Sequence, residues 1–460
     1  MAPSTVFAER PHVEHVIPEP TKYQDVSDTN LQSALDAARK RFAERNPNSK
    51  RLHEEAVKSL PGGNTRTLLH TAPFPICMKS GQGYQLADED GHTYTDFVAE
   101  MTACVYGHSN PIIQQAITDT MKDYGLNLGA TTKLEARYAS LLCSRFSQDR
   151  IRFCNSGTEA NLHALAGARK YTGKRKVVVF SNAYHGAVLG FANGVPGGNN
   201  VDLDDWVIVP YNDIEATKAA IRSAGIAAVI VEGMQGAGGA IPGTKEFLHA
   251  IQQAAKEASV VFILDEVMTS RTAPGGIAET HGLSPDLKTF GKYLGSGLAF
   301  GAFGGKEEVM RVFDPREPGA ISHSGTFNNN TLVMAAGYAG LSQVFTPEAC
   351  IEFNELGTWL REKLNEVCKG TKCGWTGVGT ILCAHFTETG TTDLVRGEDA
   401  KYAHDLDLKD LLWMEMIEEG FWMTRRGSIA LVLGTSKQEV ERFVAAVGRF
   451  LDKYHDLVRL

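Results

Sequence analysis

The sequence predicts a layered α/β protein: a large domain on a mostly parallel sheet, followed by a smaller α+β domain. Three observations carry this expectation. Between about Pro111 and Ile277, apolar runs of strand length alternate with helical segments. Several runs, Val177–Phe180 and Val260–Leu264 among them, are apolar at consecutive positions, as in strands covered on both faces. Beyond Pro347 the order becomes helix, strands, helix, strand, helix, which belongs to a separate α+β unit.

Taken in order, residues 1–29 are polar, carry Pro3, Pro11, Pro18 and Pro20, and lack apolar periodicity. A mobile or loosely packed extension is expected there. Leu31, Ala34, Leu35 and Ala38 are spaced for one helix face, Pro47 interrupts the pattern, and a second helix is expected from Lys50 to Leu60. Leu60-Pro-Gly-Gly-Asn-Thr-Arg66 fits no regular element, so it is a loop that delivers Arg66 to the next segment. Ala72 to Phe97 reads as short strands around a tight turn at Asp88-Glu-Asp-Gly91. After the corner Tyr106-Gly-His-Ser109, Pro111 opens a helix. Strands are expected at Ile151–Asn155, Val177–Phe180, Val207–Val209, Ala227–Val231 and Val260–Leu264. Helices fill the gaps at Glu159–Tyr171, Glu215–Ala224 and Glu246–Ala258. The loop Ser322–Asn330 leads into a long helix through Met334, Ala335 and Tyr338. The end reads as a helix from about Pro347, strands within Gly374–Phe386, a helix over Leu408–Glu419, a strand at Ile429–Val432 and a closing helix over Lys437–Leu451.

Composition narrows the function classes. At 460 residues, 43% hydrophobic and 22% charged, the chain has the make-up of a soluble globular protein with two or three domains. A net charge of −8 without a long basic run argues against a nucleic-acid or anionic-membrane surface. No apolar stretch approaches the ~20 residues of a membrane span. The 8 cysteines form no Cys-x-x-Cys pair and read as reduced thiols, not a disulfide frame or zinc site. No metal is expected. No secretory pattern is visible at the start, so a cytoplasmic location is the expectation.

Four motifs carry chemistry. In Arg152-Phe-Cys-Asn-Ser-Gly-Thr-Glu-Ala-Asn-Leu162 a strand ends, a turn bears Ser156, Gly157 and Thr158, and a helix begins. Glycine lets backbone N–H groups approach an anion, hydroxyls add donors, and the helix dipole adds positive potential. The turn is therefore a phosphate cradle or a simple helix cap. Val260-Val-Phe-Ile-Leu-Asp265 sets a carboxylate at the carboxyl end of a buried strand, where open α/β sheets bind ligands. Asp265 there needs a cationic partner, such as a protonated ring nitrogen, or caps a loop or holds Mg²⁺. Asn182-Ala-Tyr-His-Gly186 follows another strand, and Tyr184 is placed to stack on a flat ring or to pack as an ordinary aromatic. Finally, Lys292 lies in the glycine-rich stretch Thr289–Gly305. In apolar surroundings its amine loses charge easily and can attack a carbonyl to form a Schiff base; otherwise it is a surface lysine in a flexible loop. Pyridoxal 5'-phosphate (PLP) has a phosphate, a ring nitrogen, a ring face and an aldehyde, and each motif matches one of them.

At this point the residues resemble the class III aminotransferases of PLP fold type I, from about Leu31 to the C-terminus. Within that class they are similar to glutamate-1-semialdehyde aminomutase and, more closely, to bacterial β-phenylalanine (β-amino acid) aminotransferases. The blocks that carry the resemblance are Pro61-Gly-Gly-Asn-Thr-Arg66, Val105-Tyr-Gly-His108, Asn155-Ser-Gly-Thr-Glu-Ala-Asn161, Asp265-Glu-Val-Met-Thr-Ser-Arg271, Gly301-Ala-Phe-Gly-Gly305 and His323-Ser-Gly-Thr-Phe-Asn-Asn-Asn330.

The resemblance implies a seven-stranded, mostly parallel sheet in the large domain. It divides the chain into a 1–29 extension, a 30–95 segment contributing to the small domain, a 96–340 PLP-binding domain and a 341–460 C-terminal small domain. It implies Lys292 as the Schiff-base lysine and Asp265 as the partner of the pyridine nitrogen. Ser156, Gly157 and Thr158 become the phosphate cradle, Tyr184 the stacked aromatic, Val267 the residue on the other ring face, and Glu232 a carboxylate near the cofactor. Thr326 matches a threonine that reaches the neighbouring subunit's phosphate, which implies a homodimer with active sites at its interface. Arg66 and Arg426 match substrate-carboxylate arginines. Two departures stand out: Gly233 replaces the usual proline after Glu232, and Arg425, near Trp422, replaces a proline, so either Arg425 or Arg426 is the second arginine. The expected reaction is ping-pong transfer of an amino group from a β-amino acid or related amine to an α-keto acid. The alternative is a glutamate-1-semialdehyde-type aminomutase, which needs no external acceptor. A non-catalytic PLP-fold protein conflicts with the full set of site residues. A dinucleotide enzyme, suggested by Gly236-Ala-Gly-Gly-Ala240, lacks the acidic residue expected about 20 residues later.

Overall fold

The computed structural model describes residues 31–400 and 404–460; the expected 1–29 extension lies outside them. The chain opens with helices α1 (Leu31–Arg45) and α2 (Pro47–Ala56). The first helical pattern ends just before Pro47 as expected, and Pro47 itself starts α2, ahead of the expected Lys50, because the first helical turn needs no N–H at that position. The short strands β1 (Met78–Gln82), β2 (Gln85–Asp88) and β3 (Thr93–Asp96) form the expected antiparallel meander. Helices α3 (Pro111–Asp123) and α4 (Lys133–Phe146) lead to the large sheet.

The large sheet is built from β4 (Arg150–Cys154), β5 (Lys176–Phe180), β6 (Trp206–Val209), β7 (Ile226–Glu232), β8 (Val261–Asp265), β9 (Leu287–Gly291) and β10 (Gly301–Gly305). Its crossover helices include α5 (Gly157–Thr172), α6 (Ile214–Ile221) and α7 (Lys245–Ala258), begun by Ser156, Asp213 and Thr244, whose side chains accept backbone N–H groups. The sheet has 7 strands in the order β4-β10-β9-β8-β7-β5-β6. All neighbouring pairs are parallel except those of β10, which runs antiparallel to both β9 and β4. Every residue of β7 and β8 is buried, matching the continuous apolar runs of a doubly covered sheet. At ~1.5–3 kcal/mol for each large aliphatic side chain buried, these strands anchor the core.

The strands β9 and β10 were not among the expected ones. Gly301-Ala-Phe-Gly-Gly305 reads as a glycine-rich loop because glycine carries no alternating pattern, whereas in Leu287-Lys-Thr-Phe-Gly291 the polar Lys288 and Thr289 break the apolar run of a buried strand. Close packing explains the glycines: a Cβ on Gly304 would lie 2.5 Å from Arg150 O and 3.2 Å from Ile151 Cα on the neighbouring strand.

The remainder comprises α8 (Thr331–Ala339), α9 (Pro347–Val367), β11 (Cys373–Val378), β12 (Ile381–Phe386), α10 (Asp405–Glu418), β13 (Phe421–Trp422), β14 (Ser428–Ala430) and α11 (Lys437–Lys453). The two-residue β13 was also not foreseen; it pairs in parallel with β3 and makes the N-terminal meander four-stranded. Helix α1 joins the same layer through Phe42 against Trp413, with ring centroids 5.4 Å apart, and Arg41 against Glu415 and Glu418. Among the described residues no helix is long and apolar enough to cross a membrane.

Gly304→Val should destabilise the chain by about 2–3 kcal/mol through overpacking against β4. An unchanged denaturant midpoint would remove the close-packing explanation.

Candidate active site

The carboxyl ends of β4, β5, β7, β8 and β9 share one edge of the sheet, and the chemistry-bearing side chains follow directly from them. Asp265 ends β8 and is 4% exposed. Its Oδ2 accepts from His185 Nδ1 at 2.7 Å and from Asn161 Nδ2 at 2.8 Å; its Oδ1 accepts from the Val267 backbone N–H at 3.0 Å. Asn161 is held in turn by Thr289, whose hydroxyl donates to its Oδ1 at 2.7 Å. Asp265 stands in register with Glu232 on β7 and Thr289 on β9.

Glu232 is also buried, and its carboxylate spans two loops: Oε1 accepts from Tyr184 N–H at 3.0 Å and Oε2 from Gly236 N–H at 2.9 Å. Burial pushes its carboxyl up to about 7, with the charge of Asp265 adding to the rise and His185 and the two N–H donors opposing it. Tyr184 leaves its ring half exposed at this edge. Ser156 caps α5 by accepting from Glu159 N–H at 3.2 Å. Thr158 accepts from the Ala187 N–H at 3.0 Å, which ties the cradle to the loop carrying Tyr184. A Cβ on Gly157 would lie 2.8 Å from Val267 Cγ1, and one on Gly291 3.2 Å from the same atom, so Val267 sits tightly between the cradle and the end of β9.

Lys292 follows β9 on a short turn with a left-handed backbone, φ 55°. Its side chain is half-buried, and Nζ donates to Met101 O at 2.8 Å. Burial holds its pKa below the ordinary lysine range, while Asp265, Glu100 and Glu232 pull upward and Arg271 pushes further down. Met101 belongs to an unusual turn. Ala99, Glu100, Met101 and Thr102 have φ of 46, 49, 53 and 75°, all left-handed and none of them glycine. Such a conformation costs ~1–2 kcal/mol per residue, so neighbouring groups must hold it. Asp96 does so at one end, accepting from Val98 and Ala99 N–H at 2.8 and 2.9 Å. Arg271 does so at the other, donating to Thr102 O at 3.0 Å. Glu100 is ion-paired with Arg66, which brings Arg66 onto the turn that touches Lys292.

The structure therefore gathers Ser156, Gly157, Thr158, Tyr184, Glu232, Asp265, Val267, Lys292 and Arg66. It leaves two expected residues outside this web. Thr326 is exposed on the loop after His323, tethered by Asn155 Nδ2 donating to Asn328 Oδ1 at 3.0 Å. Arg426 is exposed, and its guanidinium makes no ion pair among the described residues, whereas Arg425 is paired with buried Asp410. Sequence reasoning missed His185, Asn161, Thr289 and the Ala99–Thr102 turn. His185 and Asn161 lay inside the quoted motifs; a polar residue within a motif was the available signal. The left-handed turn carries no glycine or asparagine to announce it.

Comparison with known proteins identifies the family. The family "Aminotransferase class-III" matches residues 69–432. An uncharacterized aminotransferase of Schizosaccharomyces pombe is 49% identical over 438 residues, covering 95% of this chain and 99% of the relative. The beta-phenylalanine transaminase of Variovorax paradoxus is 46% identical over 426 residues, covering 92% of this chain and 96% of the relative. A solved beta-phenylalanine aminotransferase structure from Variovorax paradoxus superposes with a TM-score of 0.90 at 45% identity, over 94% of this chain and 99% of that one. The glutamate-1-semialdehyde 2,1-aminomutase of Chloroherpeton thalassium is more distant, 33% identical over 412 residues, with 84% and 93% coverage. With the family matched over most of its length, the chain belongs to the class III aminotransferases, PLP-dependent transaminases of fold type I.

Proposed function

We propose that this enzyme moves an amino group from a β-amino acid or related amine to an α-keto acid in a ping-pong cycle centred on Lys292. The observation that carries the reading is one sheet edge holding a half-buried lysine amine, a buried carboxylate and a helix N-terminus, with Arg66 on the turn that the amine touches.

The residues present fit PLP. Among the described residues the donors to Asp265 include no Lys or Arg, and a carboxylate has roughly four lone-pair sites, so Asp265 has room for a cationic ring N–H. The N-terminus of α5 would supply backbone N–H donors and positive potential to a phosphate, with the Ser156 and Thr158 hydroxyls beside it and Gly157 packed against Val267. Tyr184 would stack on one ring face and Val267 on the other, with Glu232 near the cofactor. Lys292 would hold the aldehyde covalently. When bound, PLP supplies an electron sink for the carbanion formed at the substrate carbon. Lys292 Nζ, discharged more easily than an exposed lysine, takes and returns the proton at that carbon. His185 and Asn161 hold the Asp265 carboxylate in place for the ring nitrogen.

For the substrates, Arg66 and Arg426 are the candidates to grip carboxylates in a two-pronged fork. Between the two neighbouring arginines, Arg426 is favoured because Arg425 is already committed to Asp410. The relative from Variovorax paradoxus, named for beta-phenylalanine, supports a β-amino acid as donor. A homodimer is favoured by the exposed loop of Thr326, with Phe327 56% exposed, which suits contact with a second copy's phosphate site. We assign residues 96–340 to the PLP-binding domain, and 30–95 with 341–460 to the small domain, a division supported by the pairing of β13 with β3. A cytoplasmic setting is supported by the 8 cysteines, all free.

Purified enzyme should convert β-phenylalanine and 2-oxoglutarate to a keto product and glutamate, and Lys292→Ala should abolish the reaction. Failure to use any external acceptor, with isomerisation of an amino aldehyde instead, would favour the aminomutase.

Arg426→Ala should cut kcat/KM about 10- to 100-fold, mainly through KM, as expected for a lost charge-assisted fork. Arg425→Ala should instead lower the melting temperature. The reverse pattern would move the substrate role to Arg425.

Glu232 gives a pH signature. Its folded value of about 7 exceeds the ordinary 4.5, so the folded chain holds a proton that the unfolded chain releases. The associated stability is complete below pH 4.5 and is lost as pH rises through about 7. Between about pH 5 and pH 8, cofactor-free wild type should lose about 3 kcal/mol relative to Glu232→Gln in urea titrations. Parallel curves would contradict the buried, proton-holding state.

A further inference from the structure

Arg271 closes the block Asp265-Glu-Val-Met-Thr-Ser-Arg271, yet no part of the cycle above uses it. Its side chain is 0% exposed, and among the described residues it has no carboxylate partner. Nη1 donates to Thr102 O at 3.0 Å; Nη2 donates to Thr380 Oγ1 at 3.2 Å and to Leu431 O at 2.7 Å; Nε is buried and has no partner among the described residues. The guanidinium also lies 5.6 Å from the Phe353 ring centroid. A buried cation satisfied only by neutral acceptors is an expensive element, and a methionine of similar length would pack there at lower cost. Its acceptors come from three segments far apart in the chain: the left-handed turn, the corner between β11 and β12, and the residue just past β14. One of these, the turn, presents Met101 O to Lys292 Nζ at 2.8 Å.

We propose that Arg271 is a positioning residue for the Lys292 amine: its guanidinium clamps Thr102, Thr380 and Leu431 and so fixes the left-handed turn whose Met101 carbonyl receives Nζ. A lysine ammonium would not reproduce this clamp, because its three donors radiate from one atom, whereas the acceptors here are reached from the two separate Nη atoms of a planar fork. The second action of Arg271 is through its charge. Lys292 faces Asp265, Glu100 and Glu232, which favour its protonated form, and Arg271, which opposes it. Arg271 thus sets both where the amine points and how readily it loses its proton. The inference rests on the reading that Lys292 is the reacting amine.

The test uses full-length Arg271→Lys, Arg271→Met and Thr380→Val. In the cofactor-free chains, acetic anhydride labelling of Lys292 against pH, read by mass spectrometry, reports the amine directly; in the loaded enzymes, kcat and KM are measured. Arg271→Met should raise the Lys292 labelling midpoint, the direction expected when a neighbouring positive charge is removed. Arg271→Lys, which keeps the charge, should leave the midpoint within a few tenths of a unit yet lower kcat about tenfold with little change in KM. Thr380→Val, which removes one of three anchors, should lower kcat about two- to threefold. An unmoved midpoint in Arg271→Met, or wild-type kcat in Arg271→Lys, overturns the proposal. If Arg271→Met fails to fold, the kcat of Arg271→Lys and Thr380→Val decides alone. Lys292→Ala is the control for the underlying reading: turnover retained there defeats the role of Lys292, whereas an inactive Lys292→Ala with indifferent Arg271 variants defeats only the role of Arg271.

Discussion

A carboxylate buried at the end of an apolar strand must have its lone pairs filled, and Asp265 imposes that requirement on everything around it. His185, Asn161 and the Val267 N–H meet the demand, and each brings a second element with it. Asn161 fixes the first turns of α5 against Thr289 on β9. His185 fixes the loop carrying Tyr184, which Glu232 holds from β7. Val267 wedges between Gly157 and Gly291, and Lys292 is the next residue. The positions of cradle, aromatic and lysine are thus consequences of satisfying one buried charge.

The glycines at this edge and in β10 serve contact. Side chains at Gly157 and Gly291 would push into Val267, and one at Gly304 would push into the backbone of β4. The amine of Lys292 is placed by a different device, a left-handed turn of residues that do not favour that conformation. Its strain is held by Asp96 on one side and Arg271 on the other, so the turn is pinned at both ends although it contains no glycine.

Much of this was legible in the residues, for identifiable reasons. Continuous Val and Ile runs announce doubly covered strands, and β5, β7 and β8 appeared within a residue or two of their positions. Asp265 and Lys292 stood out because a charged group in apolar or glycine-rich surroundings demands an explanation. The strand β10 stayed hidden because glycine erases the alternation that marks a strand, β9 because Lys288 and Thr289 interrupt its apolar run, and β13 because two residues carry no pattern. His185, Asn161 and Arg271 gain their roles from partners distant in sequence, and spacing along the chain cannot express those pairings.

The pairing of β13 with β3 has a consequence for how the protein is made. On the ribosome, the segment from β4 to β10 contains every strand of the large sheet and can assemble as soon as it emerges. The N-terminal meander cannot: its last strand is Phe421–Trp422, and α1 waits for α10 to cover Phe42. The earliest-synthesised layer is therefore the last to close, and its apolar face stays open through most of translation. Truncations near the C-terminus will reach beyond the residues they delete, because they leave the beginning of the chain without its partner.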